Sequence, residues 1–265
     1  MTATLSNAEI YDFWTRQATE HRQSPSASWS DVRVIEMEVA EISRRLCDGD
    51  RVLDIGCANG FSSMQFATQR NICLRGLDYI PAMISEARER ARHAKPELQR
   101  RVEFDVGNIT KLSEKDSFYD KVIVIRVLIN LGNWEQQRQG LLECARVLRP
   151  GGTLLLSEAT LQGWERLNRL RAEWGLPDIP MPPFNAYLDQ KQVLAELGGT
   201  MKLMEISNFA STYYVATRVL KPLLAKATNA PLDVADPQSE WNRWFSQIPA
   251  AGDYGTQKLF VFEKL

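Results

Sequence analysis

The chain has 265 residues, 44% hydrophobic and 25% charged, with a formal net charge of −1. That is enough apolar material for one large domain, or for a domain with a cap. The near-neutral balance excludes the bulk electrostatic footprint of a nucleic-acid binder, and no apolar run approaches the ~20 residues of a membrane span. With Glu9, Asp12, Arg16 and Glu20 among the first residues, no signal peptide is expected there. Cys47, Cys57, Cys73 and Cys144 form no C-x-x-C pair and are expected as reduced thiols in a cytoplasmic protein. With His21 and His93 the only histidines, no metal site is expected.

Residues 6–22 read as a helix. Ser6 is an N-cap with Glu9 three residues on, and Ile10, Phe13 and Trp14 form its apolar stripe. These aromatics are either packing or, through Tyr11 or Trp14, a cover over a ligand. A polar, proline-containing loop, 23–28, precedes a second helix, 29–46, with Val32, Ile35, Val39, Ile42 and Leu46 on one face. Val52-Leu-Asp-Ile55 then reads as a short buried strand, and Gly56 to Gly60 as a glycine-bounded turn opening onto the helix 61–68. Such a strand, loop and helix start bring backbone close to a nucleotide-like ligand. The spacing is G-x-x-x-G, and Asp54 sits in the strand end. A loop preceded by a carboxylate suits a cation such as an α-amino group better than a phosphate.

At these residues the chain resembles the class I S-adenosylmethionine-dependent methyltransferases. Val52-Leu-Asp-Ile-Gly-Cys-Ala-Asn-Gly60 is similar to that family's first motif, V/I/L-L-D-I/V/L-G-C/T/A-G-x-G, with Ala58 in place of the middle glycine. The resemblance implies that Asp54 and the loop Gly56, Cys57, Ala58, Asn59 and Gly60 hold the methionine end of the cofactor. It also implies that the first helix is a lid.

The next strand, 71–77, ends in Asp78, close to the ~20 residues beyond the first strand at which an acid binds ribose hydroxyls; the alternative is an N-cap for the helix 81–93. Gly76-Leu-Asp-Tyr-Ile-Pro-Ala-Met-Ile-Ser-Glu-Ala87 is similar to the family's second motif, which implies that Tyr79 and Met83 flank the adenine or ribose. A third strand, 101–108, ends in Gly107-Asn108 where the family carries Gly-Asp. An amide oxygen accepts the same bond from an adenine amino group, and the Ile109 N–H would meet the ring nitrogen. The apolar strand 119–125 leads into Arg126 and Asn130, at the strand end where doubly wound sheets bind ligands. Arg126 is a candidate contact for cofactor or substrate and Asn130 a catalytic candidate, the alternative for each being loop structure or surface pairing. After the amphipathic helix 134–148, Arg146-Val-Leu-Arg-Pro-Gly-Gly152 is similar to the family's turn before its fifth strand, 153–158. Glu158 at that strand's end is a candidate base or orienting group.

Beyond 158 the alternation loosens. Arg166, Arg169 and Arg171 are either an anion site or a solvated helix face, and a proline-rich run occupies 175–183. A helix, 188–197, precedes strands 201–209 and 257–263, which the family pairs antiparallel. The segment between them is longer than a hairpin needs. Trp14, Asn185, Tyr187, Tyr213 and Tyr214 are candidates for substrate binding.

The expected fold is α/β: a Rossmann-like, seven-stranded, mostly parallel sheet with helices on both faces, an antiparallel last strand and a helical cap. The expected divisions are a lid (1–47), a cofactor-binding core (48–160), a substrate segment (161–200) and C-terminal core strands (201–265) carrying an insertion at about 211–256. The resemblance implies transfer of a methyl group from S-adenosyl-L-methionine, leaving S-adenosyl-L-homocysteine, to a small-molecule hydroxyl, amine or carboxylate. A monomer or homodimer without nucleic-acid or membrane partners is expected. Two alternatives are an enzyme of the same fold using an adenosyl or aminopropyl cofactor, and a cofactor-binding regulatory protein without turnover.

Overall fold

Seven strands form one sheet in the order β3-β2-β1-β4-β5-β7-β6: β1 (Arg51–Ile55), β2 (Cys73–Asp78), β3 (Val102–Val106), β4 (Tyr119–Ile125), β5 (Leu148–Ala159), β6 (Met201–Ser207) and β7 (Gln257–Lys264). The computed structural model describes residues 6–228 and 236–265. The first five residues of the expected lid, and residues 229–235 of the expected insertion, lie outside them. The pairs β1–β2, β1–β4, β2–β3 and β4–β5 are parallel. β7 runs antiparallel to both β5 and β6.

The central strands are covered on both faces, so they read as continuous apolar runs instead of alternating. Val52 and Leu53 of β1, Val122 to Val124 of β4 and Leu154 to Leu156 of β5 are all fully buried. The helices are α1 (Asn7–His21), α2 (Val32–Ser43), α3 (Phe61–Gln69), α4 (Pro81–Arg92), α5 (Pro96–Gln99), α6 (Trp134–Val147), α7 (Leu161–Glu173), α8 (Gln190–Leu197), α9 (Ser211–Val215), α10 (Lys221–Thr228) and α11 (Glu240–Phe245). One core contains Ile35 and Ile42 of α2, Phe66 of α3 and Ile84 of α4, packed on one sheet face. A second contains Leu141 and Cys144 of α6 and Val193 and Leu197 of α8, on the other. Ser6 and Glu9 form the expected capping box at α1.

From β1 the chain steps first to β2 on one side and later to β4 on the other. A crevice therefore opens above the carboxyl ends of β1 and β4, where the strand order reverses.

Helix α7 occupies the stretch where the strand and helix alternation loosens in the sequence. Its arginines form no anion site. Arg171 is buried and donates to the carbonyls of Pro177 and Arg218, Arg166 pairs with Asp253, and Arg169 is exposed. A turn of π-helix, Ala216–Leu220, joins α9 to α10. Among the described residues no helix is long and apolar enough to cross a membrane. Nor do three or more His, Cys, Asp or Glu residues converge on a point where a metal could sit.

Candidate active site

A cavity of about 580 Å³ fills the crevice, within the ~300–1,000 Å³ typical of small-molecule sites. Its floor comes from the carboxyl ends of β1 to β4, and α1 together with residues 182–187 forms its cover.

The β1 loop is shaped by left-handed backbone. Gly56 lies at φ 75°, and Ala58 at φ 47°, which glycine would adopt without strain. The N–H groups of Gly56 and Cys57 both donate to the Leu77 carbonyl, at 2.7 and 3.0 Å, folding the loop onto β2. A Cβ on Gly56 would sit 2.1 Å from Cγ2 of Val127. Gly56→Ala combines a left-handed penalty of ~1–2 kcal/mol with overpacking of ~1–3 kcal/mol. It is expected to lower stability by about 3 kcal/mol in chemical denaturation. Adding Val127→Ala should recover the overpacking share and no more.

Gly60 differs from the expectation. It does not line the cavity; it is the N-cap of α3 at φ 73°, where a Cβ would lie 2.9 Å from the Phe104 ring and 3.0 Å from Cβ of Ala87. Its missing side chain serves helix packing, not the ligand. Asn59 reaches the cavity wall, but its amide nitrogen donates to the carbonyls of Arg22 and Ser24 and ties the loop to the end of α1.

Asp54 and Asp78 both line the cavity. Asp54, 2% exposed, accepts from the Ser63 hydroxyl at 2.5 Å, and burial pushes its carboxyl up to about 7. Half-buried Asp78 accepts one backbone N–H on each oxygen, from Ala58 at 2.9 Å and Ile80 at 2.8 Å. Burial raises it to about 6 against the pull of those two donors. Each Asp78 oxygen retains a lone pair for a further donor.

Tyr79 is exposed and meets Tyr11 of α1 edge-on, at 5.5 Å between ring centroids. Met83 is buried beneath the cavity, and Ile109 borders it. Asn108 also lies there, but its side-chain oxygen accepts from both the N–H and the hydroxyl of Thr110, each at 2.9 Å. The oxygen expected to receive an adenine amino group is therefore already engaged in a turn.

Arg126 stands at φ 53° on the cavity wall, ion-paired with Glu38 and stacked 5.0 Å from the Trp29 ring. Glu38 also accepts from the Ser157 hydroxyl and from Gln257. This buried group neutralises Arg126 and joins α2, β4, β5 and β7. Asn130 and Asn185 both line the cavity and bond to each other at 3.1 Å. Trp14 packs edge-on to Phe13 and Phe184, whose rings stack at 4.6 Å. Tyr187 and Tyr214 also line the cavity.

Besides Gly60, two more sequence candidates fall outside it. Glu158, fully buried, spends its carboxylate on the N–H groups of Val127 and Leu128, both at 2.8 Å, and Ile129 at 3.4 Å. Burial pushes it up to about 8, opposed by those three donors. It is the clamp of the β4 loop and has no path to a substrate. Tyr213, 1% exposed, bonds to Asp31 and Asn242 and packs α9 against α2 and α11.

Residues missed from sequence include Trp29, Glu38, Phe184, Thr256 and Gln257. Glu38 carried a usable signal: it lies three residues after Ile35 and four before Ile42, on the apolar face of α2. Phe184 follows the proline run and has no periodicity to announce it.

The chain is similar to known proteins in sequence and in fold. A family model described as a methyltransferase domain matches residues 46–179. The 27-O-demethylrifamycin SV methyltransferase of Amycolatopsis mediterranei (strain S699) is 34% identical over 114 residues, 43% of this chain; the match spans 40% of that relative's length. O-methyltransferase resE of Aspergillus sclerotiorum is 25% identical over 204 residues, 71% of this chain and 74% of the relative. The solved structure of magnesium protoporphyrin IX methyltransferase from Synechocystis PCC 6803, with bound SAH, superposes with a TM-score of 0.59 at 17% identity. It covers 98% of this chain and 96% of that one, a likeness of fold. The matched stretch contains the Gly56 loop, Asp78, Asn108 and the whole β4 loop, and on that match the chain belongs to the methyltransferase-domain family.

Proposed function

We propose that the chain transfers a methyl group from S-adenosylmethionine to a small-molecule acceptor. The observation that carries this is Asp78, with lone pairs left on both oxygens at the end of β2. It faces a cavity whose opposite side is walled by aromatic and amide side chains. The residues present fit the cofactor. A backbone loop free of long side chains and a buried acid, Asp54, suit its methionine end, Asp78 suits vicinal hydroxyls, and Tyr79 and Met83 suit a flat ring. Asn108, with its oxygen engaged, would meet the adenine through its amide nitrogen, and the Ile109 N–H would serve the neighbouring ring atom.

When bound, S-adenosylmethionine supplies a methyl group already activated by its sulfonium. The protein's task is then to align the acceptor and exclude water. Helix α1 and residues 182–187 would do the excluding, and the β4 loop would present the acceptor. Residues 48–160 with the C-terminal strands would hold the cofactor, and the segments around 161–200 and 211–256 would shape the acceptor side.

The acids set a pH dependence. Asp78 serves ribose hydroxyls as a carboxylate, and with the free protein's value near 6 it gains a proton as pH falls. Asp54, near 7, does the same one step earlier. Binding draws on the ionised forms, so affinity should be full above about pH 8 and fall as pH drops through 7 and 6. Calorimetry at pH 5 and pH 7.5 should show at least a tenfold difference. Incubation with candidate acceptors, read by mass for the gain of one CH2 unit and by release of S-adenosylhomocysteine, tests the activity. Cofactor consumption without such a product would favour adenosyl or aminopropyl chemistry.

A further inference from the structure

Among the described residues lining the cavity, those over β4, β5 and β7 include no side chain suited to take a proton. Among the described residues lining the whole cavity, the carboxylates are Asp54 and Asp78, and the histidine is His21. The two acids belong to the β1 and β2 ends. His21 lies in the last turn of α1, beside Arg22, whose carbonyl accepts from Asn59 of the β1 loop. Over β4, β5 and β7 the one charged lining group, Arg126, is neutralised by Glu38. Glu158, the sequence candidate for a base, is consumed by three backbone donors.

Two phenols stand where a base is missing. Tyr187 is fixed by backbone bonds on either side, from the Ala186 N–H to the Ile129 carbonyl at 2.7 Å and from the Leu188 N–H to the Ala159 carbonyl at 3.0 Å. Its hydroxyl has no hydrogen-bond partner among the described residues, so its proton is available to a ligand. Tyr214 shares the cavity wall with Thr256, and the Arg218 guanidinium lies 4.9 Å from its ring centroid, itself held by Asp31. Both phenols line the same cavity, Tyr187 anchored to the β4 loop and Tyr214 packed beside Gly255 just before β7. Burial raises both above the ordinary tyrosine value, Tyr214 despite the Arg218 cation, so both remain protonated donors at neutral pH. The adjoining wall is flat and apolar, built from the Phe13–Phe184 stack and Trp14.

We propose, resting on the methyltransferase reading, that the acceptor is a planar, apolar molecule bearing an acidic hydroxyl, a phenol or an enol, and that the Tyr187 and Tyr214 hydroxyls hold its oxygen as the anion. Two neutral donors in a water-poor site stabilise an oxyanion, and they offer nothing to an aliphatic alcohol or an ammonium that must lose a proton first. The acceptor's proton leaves to solvent on binding. Its oxygen forms the new O–CH3 bond as the C–S bond breaks and sulfur keeps the electron pair, so the anion and the sulfonium become a neutral ether and a neutral thioether.

The test uses the full chain, S-adenosylmethionine and one bicyclic skeleton: a series of 2-naphthols of graded acidity, with 2-naphthylmethanol and 2-naphthylmethylamine. Methylation confined to the naphthols is expected, with the pH at which kcat/KM levels off tracking each naphthol's own acidity. Tyr187→Phe should lower kcat/KM about 10- to 100-fold, most for the least acidic naphthols, with cofactor affinity unchanged. Tyr214→Phe should act in the same direction. A pH inflection that stays fixed across the series and disappears in His21→Gln would mean a protein base and overturn the proposal. So would equal turnover of the alcohol or the amine, or cofactor binding with no naphthol methylated. Failure to bind S-adenosylmethionine at all would instead sink the methyltransferase reading beneath it.

Discussion

Asp78→Asn is expected to weaken binding of both S-adenosylmethionine and S-adenosylhomocysteine by about 100-fold. Hydrogen bonds to a charged partner contribute roughly 1.5–3 kcal/mol each, and two vicinal hydroxyls donating to one carboxylate bring the total to about 3 kcal/mol, two decades in affinity. The amide keeps one acceptor oxygen, but it turns an N–H group toward either the Ala58 or the Ile80 N–H, both of which now donate to the acid. The β1 loop should therefore loosen locally while the sheet beneath it stays intact. Titration calorimetry measures the affinity, and an unchanged thermal midpoint shows that the fold survives. Wild-type affinity in this variant would remove Asp78 from the ribose site.

Glu158→Ala should have the largest effect on stability. The side chain is fully buried and takes three backbone N–H groups of the β4 loop. Truncation orphans all three in a site with little water, at ~1–3 kcal/mol for each unsatisfied donor, and leaves a cavity as well. A loss on the order of 4 kcal/mol or more is expected in chemical denaturation. Glu158→Gln retains an oxygen for the two shorter bonds, to Val127 and Leu128, and should lose clearly less. If Glu158 were instead a catalytic base, the glutamine variant would keep its stability and lose turnover.

These two acids show what was legible in the sequence. Strands covered on both faces produce unbroken apolar runs, so β1, β4 and β5 could be read directly, and Asp78 followed from its position at a strand end. Glu158 is legible at the end of β5 in the same way, but the sequence does not show whether it meets ligand or backbone. That depends on the β4 loop, which folds back over it through contacts distant in sequence. Tyr213 and Tyr214 pose a similar problem. Successive helical residues point ~100° apart, so only one of the pair could face the cavity, and the sequence does not fix the rotation of a five-residue helix. The loop motif ends at Gly60 and so points to a ligand role there, whereas its environment is Phe104 and Ala87, on another strand and another helix. The acceptor side was least legible. Its residues come from α1, the β4 loop, the segment after the proline run, α9 and the start of β7, and only tertiary packing brings them together.

The most direct measurement is calorimetric titration of the purified chain with S-adenosylmethionine and S-adenosylhomocysteine, after denaturing a sample to check for cofactor carried through purification. Micromolar binding of both, one per chain, weakened by Asp78→Asn and by lowering the pH to 5, is the expected result. A chain free of carried-through cofactor that binds neither would contradict the assignment of this cavity to S-adenosylmethionine.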